Sequence, residues 1–300
     1  MGLPSISVIT PSFNQGAFLS HTLESVASQS YPALEHLVFD GGSSDHTISI
    51  LQRWENAVTW VSEPDAGQAD AVNRGLRVAR GDVIAWINSD DVYAPDAFAR
   101  IAERFAADPS LDVVYGMADH INVEGLPFEA YPTAAWDPEL LLHVCFICQP
   151  ALFFRRRVLG RVGLLNPALH YCMDYEYWLR MAAAGCRFAF LPCKLAGSRL
   201  YATNKTLTDR PAVHREIAEM LLITAGHVPL RWVLAYANHT AASRWDPQRH
   251  PWRYRRTLTW LTLRHQWAWN RGPGVGSLLS LLRARRRQRR LARFTARASS

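Results

Sequence analysis

Short apolar runs that end in polar loops alternate with amphipathic segments in the first 91 residues, and this alternation constrains the fold more than any other feature. The apolar runs are residues 6–9, 37–39, 58–61 and 83–87. The segments between them have the spacing of helices that bury one face, at about residues 18–29, 46–54 and 68–80. The alternation predicts an α/β fold: a mostly parallel, doubly wound sheet with helices on both faces.

Polar residues collect where the predicted strands end. They form the loops Pro11–Asn14, Asp40–Asp45 and Asn88–Asp91. Ligands of parallel sheets bind beyond the carboxyl ends of the strands. We therefore expect these three loops to lie at one edge of the sheet and to form a single site.

After residue 116 the alternation weakens. We predict strands at residues 146–154 and 188–191 and helices at 174–184 and 209–225. The predicted organisation has three parts. They are residues 1–115, residues 116–225 as the second half of the same domain, and a helical, basic, Trp- and Arg-rich C-terminal extension (226–300).

The charged residues are distributed unevenly along the chain. All 26 acidic residues and 19 of the 33 Lys and Arg lie within residues 1–246, and the other 14 basic residues lie within 247–300 without any acid. This extension also carries tryptophans next to arginines and three helical patterns, at 229–245, 252–270 and 276–296. Three interpretations of the extension remain: helices that lie on an anionic membrane surface, a disordered tail after Gly272, and tryptophans packed in the protein's own core. As a partner of the basic extension we favour the membrane over nucleic acid.

Five cysteines in irregular positions argue against a disulfide framework. Cys145 and Cys148 lie in an apolar run without a second pair, which favours buried thiols over a zinc site. The sequence shows no signal-peptide pattern and no stretch of roughly 20 apolar residues. We therefore expect a cytoplasmic protein, with peripheral attachment to the inner face of the plasma membrane as an open alternative.

Two of the polar loops allow both a chemical and a structural interpretation. Carboxylates in Asn88–Asp91 suit Mg²⁺ or Mn²⁺, but Asp91 and Asp96 flank Pro95 and also suit a helix start. Asp40 can accept hydrogen bonds from a base or ribose. The loop after it can equally be a tight turn in which Ser44 or Asp45 caps the next helix.

Four stretches resemble, in order and spacing, the family 2 glycosyltransferases of GT-A fold. They are SVITPSFN from Ser7, FDGGSSDHT from Phe39, SEPDAGQADAVNRG from Ser62 and GDVIAWINSDDVYAPD from Gly81. The resemblance covers about residues 4–205. It implies that residues 1–115 are the nucleotide-sugar-binding half and residues 116–225 the acceptor-binding half of one catalytic domain. It implies an inverting transferase that moves a sugar from a nucleotide-sugar donor to an acceptor hydroxyl, in the synthesis of a cell-surface polysaccharide or glycolipid and with a lipid-linked or glycan acceptor.

The resemblance also implies the residues of a donor and metal site. Base and ribose would be held by Pro11, Ser12, Phe13, Asn14 and Asp40, with Asp65, Gly67 and Gln68 bordering the same pocket. Asn88, Ser89 and Asp90 match the family's D-x-D motif, with Asp90 as the ligand of Mn²⁺ or Mg²⁺ and Asp91 beside it. The first position is Asn88, a neutral and weaker ligand.

Two further stretches, QPALFFRRRVLGRVG from Gln149 and HYCMDYEYWLR from His170, support the resemblance. It implies that Asp174 is the catalytic base that takes the acceptor proton in a single in-line displacement. An ordinary helix cap is the structural alternative for Asp174, and Glu176 is the alternative base. Arg199 and Lys205 are candidate contacts of the donor diphosphate, and Tyr201 stands where a His is common in the family.

Two other functions remain as alternatives. A nonenzymatic protein that binds a nucleotide sugar or nucleic acid would account for Asn88 and for the basic extension. A sugar nucleotidyltransferase shares a similar sheet but requires a Gly-rich, basic loop after the first strand. Because Pro11–Asn14 lacks that character, we rank the nucleotidyltransferase low.

Overall fold

The computed structural model describes residues 2–271 of the chain. Within these residues nine strands form one sheet: β1 (Ile6–Ser12), β2 (Leu34–Asp40), β3 (Thr59–Ser62), β4 (Val83–Trp86), β5 (Val92–Tyr93), β6 (Val113–Ile121), β7 (Pro127–Ala130), β8 (Leu152–Arg155) and β9 (Phe188–Arg199). The same residues form eleven α-helices: α1 (Gly16–Ala27), α2 (Thr47–Arg53), α3 (Gln68–Val78), α4 (Ala97–Ala107), α5 (Pro138–His143), α6 (Leu159–Val162), α7 (Met173–Ala183), α8 (Lys205–Thr208), α9 (Arg210–Ala225), α10 (Leu230–Arg244) and α11 (Pro251–Asn270). The helix predicted for 276–296 lies outside the described residues.

The strand order in the sheet is β3-β2-β1-β4-β8-β6-β9-β5, with β7 paired to β6. The first four strands of this order are mutually parallel, as the alternation predicts. The other half of the sheet is mixed, because β8 is antiparallel to both of its neighbours while β6 and β9 are parallel to each other. The α/β class with helices around a sheet is confirmed.

Because of its direction in the sheet, β9 ends at the edge where the predicted site lies. Two antiparallel pairings, β4 with β8 and β8 with β6, restore the original direction, so β6 and β9 run the same way as β1, β2 and β4. The carboxyl ends of all these strands therefore lie at one edge. Since β9 ends at Arg199, residues 199–201 arrive at the edge where the three polar loops begin.

Two strand predictions in the second half need correction. The apolar run 146–154 is a strand only at Leu152–Arg155, because Gln149–Ala151 forms a 3-10 turn around Pro150, which has no N–H for a strand ladder. The strand predicted at 188–191 continues to Arg199. Its pairing with β6 shifts register near Met117, and these bulges break the periodic pattern after Pro192.

Helices cover the sheet on both faces and bury an apolar core. On one face, Phe98 and Phe105 of α4 pack with Tyr93 and Phe153 of the sheet. A separate cluster joins α1, α2 and β2. Helix α3 approaches β1 so closely that a Cβ on Gly75 would lie 2.5 Å from Cγ2 of Ile9. A larger residue at 75 would therefore push α3 away from the sheet.

The chain divides into two compact units. The first contains the whole sheet and comprises residues 2–136 and 146–201, and the second comprises residues 137–145 and the described residues from 202 onward. The second unit consists of α5 and α8–α11, and α10 and α11 occupy the stretches predicted as helices. The predicted functional boundaries after residues 115 and 225 stay a prediction.

Two further properties bear on the sequence expectations. All five cysteines lie within residues 2–271 and none of them forms a disulfide, and Cys148, Cys172 and Cys186 are buried. Among the helices of residues 2–271, none combines the length and apolar character required to cross a membrane.

Candidate active site

The loop after β2 is organised by the buried carboxylate of Asp40. Its Oδ2 accepts hydrogen bonds from the main-chain N–H of Gly42 (3.1 Å) and of Ser43 (2.8 Å), and from the hydroxyl of Ser62 (2.7 Å). Gly42 has a φ of +82°, a left-handed conformation that favours glycine. Asp40 therefore fixes the shape of its own loop, and the base or ribose contact stays a prediction.

The loops after β1 and β2 are hydrogen-bonded to each other. The side-chain oxygen of Asn14 accepts from the N–H of Ser44 (2.9 Å), and the N–H of Asn14 donates to the hydroxyl of Ser43 (2.7 Å). The carboxylate of Asp45 accepts from the N–H groups of Gly16 and Thr47, both at 2.9 Å, so it binds the first residues of α1 and α2. The N-cap residue of α2 is His46, whose side chain makes no capping bond.

The residues of the first loop differ in their exposure. Pro11 and Ser12 are buried within β1, whereas Phe13 and Asn14 are exposed at the edge of the sheet. Asn14 has a φ of +51°, which asparagine tolerates better than most residues. The ring of Phe13 is therefore presented to solvent at the predicted nucleotide pocket.

The loop after β3 brings Asp65, Gly67 and Gln68 to the same edge. Asp65 accepts a hydrogen bond from the N–H of Gly67 (2.7 Å), and Gly67 has a φ of +108°. Asp65 also lies close to the loop after β2, since a Cβ on Gly41 would lie 2.9 Å from its Oδ2. Gln68 opens α3 and donates to the side-chain oxygen of Asn88 (2.7 Å).

The structure explains why the first position of the D-x-D-like motif is an asparagine. The Oδ1 of Asn88 accepts from Gln68 and from the indole N–H of Trp86 (3.2 Å), while its Nδ2 donates to Asp91 (3.3 Å). An aspartate could accept the first two bonds but could not donate the third. It would place a further negative charge beside Asp91.

Asp91 is a buried structural carboxylate. Its Oδ1 accepts from the N–H of Arg199 (2.8 Å), and its main-chain oxygen accepts from the hydroxyl of Thr22 (2.7 Å). Burial, and then the negative charge of Asp90, raise the pKa of Asp91 well above its ordinary value. Ser89 is buried as well, so within residues 88–91 Asn88 and Asp90 are the partly exposed residues.

Asp90 receives a hydrogen bond from a residue 111 positions further along the chain. The hydroxyl of Tyr201 donates to Oδ2 of Asp90 at 2.9 Å and accepts from the side-chain amide of Gln15 at 3.2 Å. The ring of Tyr201 packs on Phe18, with centroids 5.0 Å apart. Burial raises the pKa of Asp90, while the bond from Tyr201 and the charge of Arg199 oppose that rise.

Arg199 supports the Asp90 loop from inside the protein. Its side chain donates to the main-chain oxygens of Asp90 (2.7 Å), Asn122 (2.7 Å) and Val123 (2.8 Å), and its guanidinium lies 4.8 Å from the ring centre of Phe18. Because Arg199 is 2% exposed, it presents little surface to a ligand. Its contact with a diphosphate stays a prediction, as does that of Lys205, which begins α8 in the second unit.

The carboxylates of α7 have different environments. Asp174 lies in the first turn, where its Oδ1 accepts from the N–H of Tyr175 (2.7 Å). Glu176 is buried and forms two hydrogen bonds with the guanidinium of Arg180, at 2.8 and 2.9 Å. Arg180 also donates to the main-chain oxygen of Leu164 (2.9 Å). Glu176 therefore belongs to a structural ion pair, and the approach of Asp174 to the donor site stays a prediction.

Sequence reasoning assigned no role to two residues of this site, Gln15 and Tyr201. The signal for Tyr201 was present, because it occupies a position where the resembling family commonly has a histidine. A tyrosine hydroxyl, like an imidazole N–H, can donate to a carboxylate. Gln15 carried no comparable signal, because its role depends on contact with Tyr201.

The Asp90 loop suits a metal that is held only in part by protein. Within residues 2–271, no three His, Cys, Asp or Glu side chains are grouped so that they could enclose an ion. Mg²⁺ and Mn²⁺ at phosphate-transfer sites take one or two carboxylates and complete their shell with phosphate oxygens and water. One partly exposed carboxylate, Asp90, beside the Asn88 carboxamide fits this mode.

Comparison with known proteins identifies relatives by sequence. A family model described as Glycosyl transferase family 2 matches residues 7–163. A PGL/p-HBAD biosynthesis glycosyltransferase of Mycobacterium tuberculosis is 30% identical over 185 residues, which cover 60% of this chain and 70% of that protein. The O-antigen biosynthesis protein RfbC of Myxococcus xanthus is 30% identical over 187 residues, which cover 60% of this chain and 15% of that protein.

Solved structures confirm the fold. Staphylococcus aureus TarS (residues 1–349), in complex with UDP-GlcNAc, superposes with a TM-score of 0.57 at 18% identity, covering 82% of this chain and 74% of that one. The mannosyltransferase PcManGT of Pyrobaculum calidifontis, in complex with GDP-Man and Mn²⁺, superposes with a TM-score of 0.53 at 19% identity, covering 89% and 88%. The predicted GT-A-like fold is therefore correct.

Proposed function

This chain belongs to glycosyl transferase family 2, and we propose that it moves a sugar from a nucleotide-sugar donor to an acceptor hydroxyl in the synthesis of a cell-surface polysaccharide or glycolipid. The match of residues 7–163 supports this most, because that range contains the three polar loops that meet at one sheet edge. The names of two relatives, in PGL/p-HBAD and O-antigen biosynthesis, support a glycan or glycolipid product.

The donor's nucleotide is proposed to bind at the ends of β1, β2 and β3. The exposed ring of Phe13 offers a flat apolar surface for the base, next to Asn14. Asp40 holds the neighbouring glycine-containing loop in the shape that admits the ribose. Asp65, Gly67 and Gln68 border the same region. The complexes of TarS with UDP-GlcNAc and of PcManGT with GDP-Man support a nucleotide sugar as the ligand class.

A divalent metal is proposed as the cofactor, with Asp90 as its protein ligand. When bound, Mn²⁺ or Mg²⁺ neutralises negative charge on the diphosphate that leaves. Tyr201 and Arg199 hold the carboxylate and the main chain of Asp90 in place. Asn88 and Asp91 stabilise the loop around it. The Mn²⁺ in the PcManGT complex supports this assignment.

Asp174 is proposed as the catalytic base. Asp174 lies in the first turn of α7, at the position that the family resemblance gives to the base, and the other carboxylate of this turn, Glu176, forms an ion pair with Arg180. In the proposed step, Asp174 takes the proton of the acceptor hydroxyl while the oxygen of that hydroxyl bonds to the anomeric carbon of the donor sugar. The nucleoside diphosphate leaves from the opposite face, so the configuration inverts.

Replacement of Asp174 tests this mechanism. We expect Asp174→Asn to lower turnover by at least about 10²-fold, since asparagine cannot accept the proton, while donor affinity changes less than about threefold. Asp209→Asn is a matched control, because Asp209 caps α9 through the N–H of Ala212 (3.0 Å). Wild-type turnover in Asp174→Asn, or an equal loss in Asp209→Asn, would contradict the assignment.

The location of the protein follows from the same proposal. A transferase that uses a cytosolic nucleotide sugar and a lipid-linked acceptor works at the inner face of the plasma membrane. We propose this peripheral location, and the 14 basic residues of 247–300 support it, because that leaflet is anionic.

A further inference from the structure

One face of helix α11 exposes large apolar side chains. Trp252, Trp260, Leu263 and Trp267 are 79%, 51%, 67% and 66% exposed. At 100° per residue, these four positions fall within an arc of about 80° on the helix, and they extend along about 22 Å of its length. We call this surface, made of Trp252, Trp260, Leu263 and Trp267, the tryptophan face. Arg256 is exposed within the same arc, between Trp252 and Trp260, so one basic side chain interrupts the apolar surface. An exposed apolar surface of this kind marks an interaction site.

The opposite face of α11 is fixed against α10. Leu261 packs with Ala237 and Ala241 in a small buried cluster, and the hydroxyl of Tyr254 donates to the side-chain oxygen of Asn238. Rotation of α11 to bury the tryptophan face would break these contacts. The exposure of the tryptophan face is therefore a consequence of how α11 packs.

The surroundings of the tryptophan face are basic. Residues 247–271 contain six arginines and no acidic residue: Arg249, Arg253, Arg255, Arg256, Arg264 and Arg271. The guanidinium of Arg264 lies 5.0 Å from the ring centre of Trp260. Arginine side chains of this kind lay their apolar stems along apolar surface while the charged ends reach phosphate groups. The charge and the apolar face together match an anionic lipid surface.

We propose that the tryptophan face of α11 is a membrane-binding surface that inserts into the interface of an anionic bilayer, with the helix lying parallel to the plane. Tryptophan is suited to this depth because its indole ring is apolar and its N–H reaches the headgroups. Single-stranded nucleic acid would also stack on tryptophans, but it gains nothing from Leu263 in the middle of the face. This inference rests on the peripheral membrane location proposed above, and it assigns the surface of the chain that binds the bilayer.

Vesicle binding by the full chain tests the proposal without any donor or acceptor, so the result does not depend on the proposed reaction. The probe is sedimentation with vesicles of equal parts phosphatidylcholine and phosphatidylglycerol. We expect Trp260→Ser/Leu263→Ser/Trp267→Ser to weaken partitioning by at least about tenfold, since three apolar side chains no longer insert. Wild-type protein should bind pure phosphatidylcholine vesicles at least about tenfold more weakly.

Two matched controls separate the tryptophan face from general apolar exposure and from charge. Ile223→Ser/Phe128→Ser removes two exposed apolar side chains elsewhere and should leave partitioning within about twofold. Replacing Arg283, Arg285, Arg286 and Arg287 by Gln tests the basic segment. We expect this variant to bind more weakly but to lose further affinity when the tryptophan-face substitutions are added.

Several results would overturn the proposal. The first is that the tryptophan-face variant partitions onto vesicles like the wild type. The second is that the variant loses self-association while its vesicle binding is unchanged. The third is that the wild type binds an oligonucleotide more tightly than vesicles and the variant loses only the oligonucleotide binding. Fluorescence of the wild-type protein gives a test that needs no variant. Vesicles with brominated acyl chains should quench tryptophan emission, and unquenched emission from bound protein would also overturn the proposal.

Discussion

At the scale of single residues, Tyr201 connects the end of β9 to the Asp90 loop, where we propose that the metal binds. Its hydroxyl donates to Asp90 and is itself held by Gln15. Burial, and then the charge of Asp90, raise the pKa of Tyr201 to about 12, so the hydroxyl keeps its proton at neutral pH. It can therefore donate to the ionised form of the Asp90 carboxylate, which is the form that a metal requires.

Substitution of Tyr201 tests that role. Tyr201→Phe retains the ring against Phe18 but removes the donor, so we expect about tenfold more Mn²⁺ to be needed for half-maximal activity, following the magnitude of hydrogen bonds to charged groups. Tyr115→Phe is the matched control, because the Tyr115 hydroxyl donates to the main-chain oxygen of Ala134 (2.8 Å). An unchanged Mn²⁺ requirement in Tyr201→Phe would rule out the orienting role.

The buried His36 provides a second residue-scale prediction, about stability and pH. Burial lowers the pKa of His36 to about 3, and its Nε2 lies 2.9 Å from the hydroxyl of Thr10. In the unfolded chain the His36 imidazole binds a proton near pH 6.5, whereas in the folded protein it stays neutral until about pH 3. The free energy of unfolding therefore falls as the pH decreases from 6.5 toward about 3. Between pH 7 and pH 5, this one group should cost about 2 kcal/mol of unfolding free energy.

Urea unfolding at pH 7 and pH 5 measures this effect. Glutamine does not titrate, so His36→Gln should lose about 2 kcal/mol less than the wild type over the interval. His21→Gln serves as the control for removal of a histidine, because His21 is exposed. The same pH dependence in His36→Gln and wild type would contradict the assignment.

At the scale of elements, local patterns predicted the first half of the sheet better than the second. The strands and helices up to residue 91 follow the apolar periodicity, because each buries one continuous surface in a regular ladder. In the second half, Pro150 shortened β8, and bulges in β9 concealed its last eight residues, from Pro192 to Arg199. Strand length there depends on pairing with β6, which no local window contains.

One side chain connects two elements that the sequence treats separately. Asn73 of α3 is buried, and its amide both donates to the main-chain oxygen of Leu165 (3.0 Å) and accepts from its N–H (2.8 Å). Leu165 precedes α7, the helix that carries Asp174. The two bonds therefore fix the segment before α7 against α3.

Removal of this amide should destabilise the protein. Asn73→Ala leaves two main-chain groups of Leu165 unpaired in the interior, so we expect about 2–4 kcal/mol less unfolding free energy in urea. Arg77→Ala, on the exposed side of the same helix, should cost less than about 0.5 kcal/mol. Equal stabilities of the two variants would show that the amide bonds contribute little.

At the scale of the whole molecule, the strand directions decide which residues can meet. The sequence correctly placed the loops after β1, β2 and β4 at one edge, since these strands are mutually parallel. The strand pattern alone could not bring Arg199 and Tyr201 there, because that depends on the reversal of β8 between β4 and β6. Pairing across a hundred residues leaves no periodic trace, so only the family resemblance pointed to Arg199. Its contact with a diphosphate stays a prediction, and its side chain is buried and donates to the main chain of Asp90.

The central claim is that the edge containing Asp90 binds and activates a nucleotide sugar. Its most direct test is the release of nucleoside diphosphate from a panel of UDP- and GDP-sugars, measured with and without Mn²⁺, for wild type, Asp90→Asn and Asp96→Asn. Asp96 is a suitable control because it is exposed in the neighbouring turn with a φ of +61°, which asparagine tolerates. We expect Mn²⁺-dependent release from at least one donor, a loss of at least about 10²-fold in Asp90→Asn, and little change in Asp96→Asn. Absence of release from every donor, or equal release by wild type and Asp90→Asn, would contradict the account.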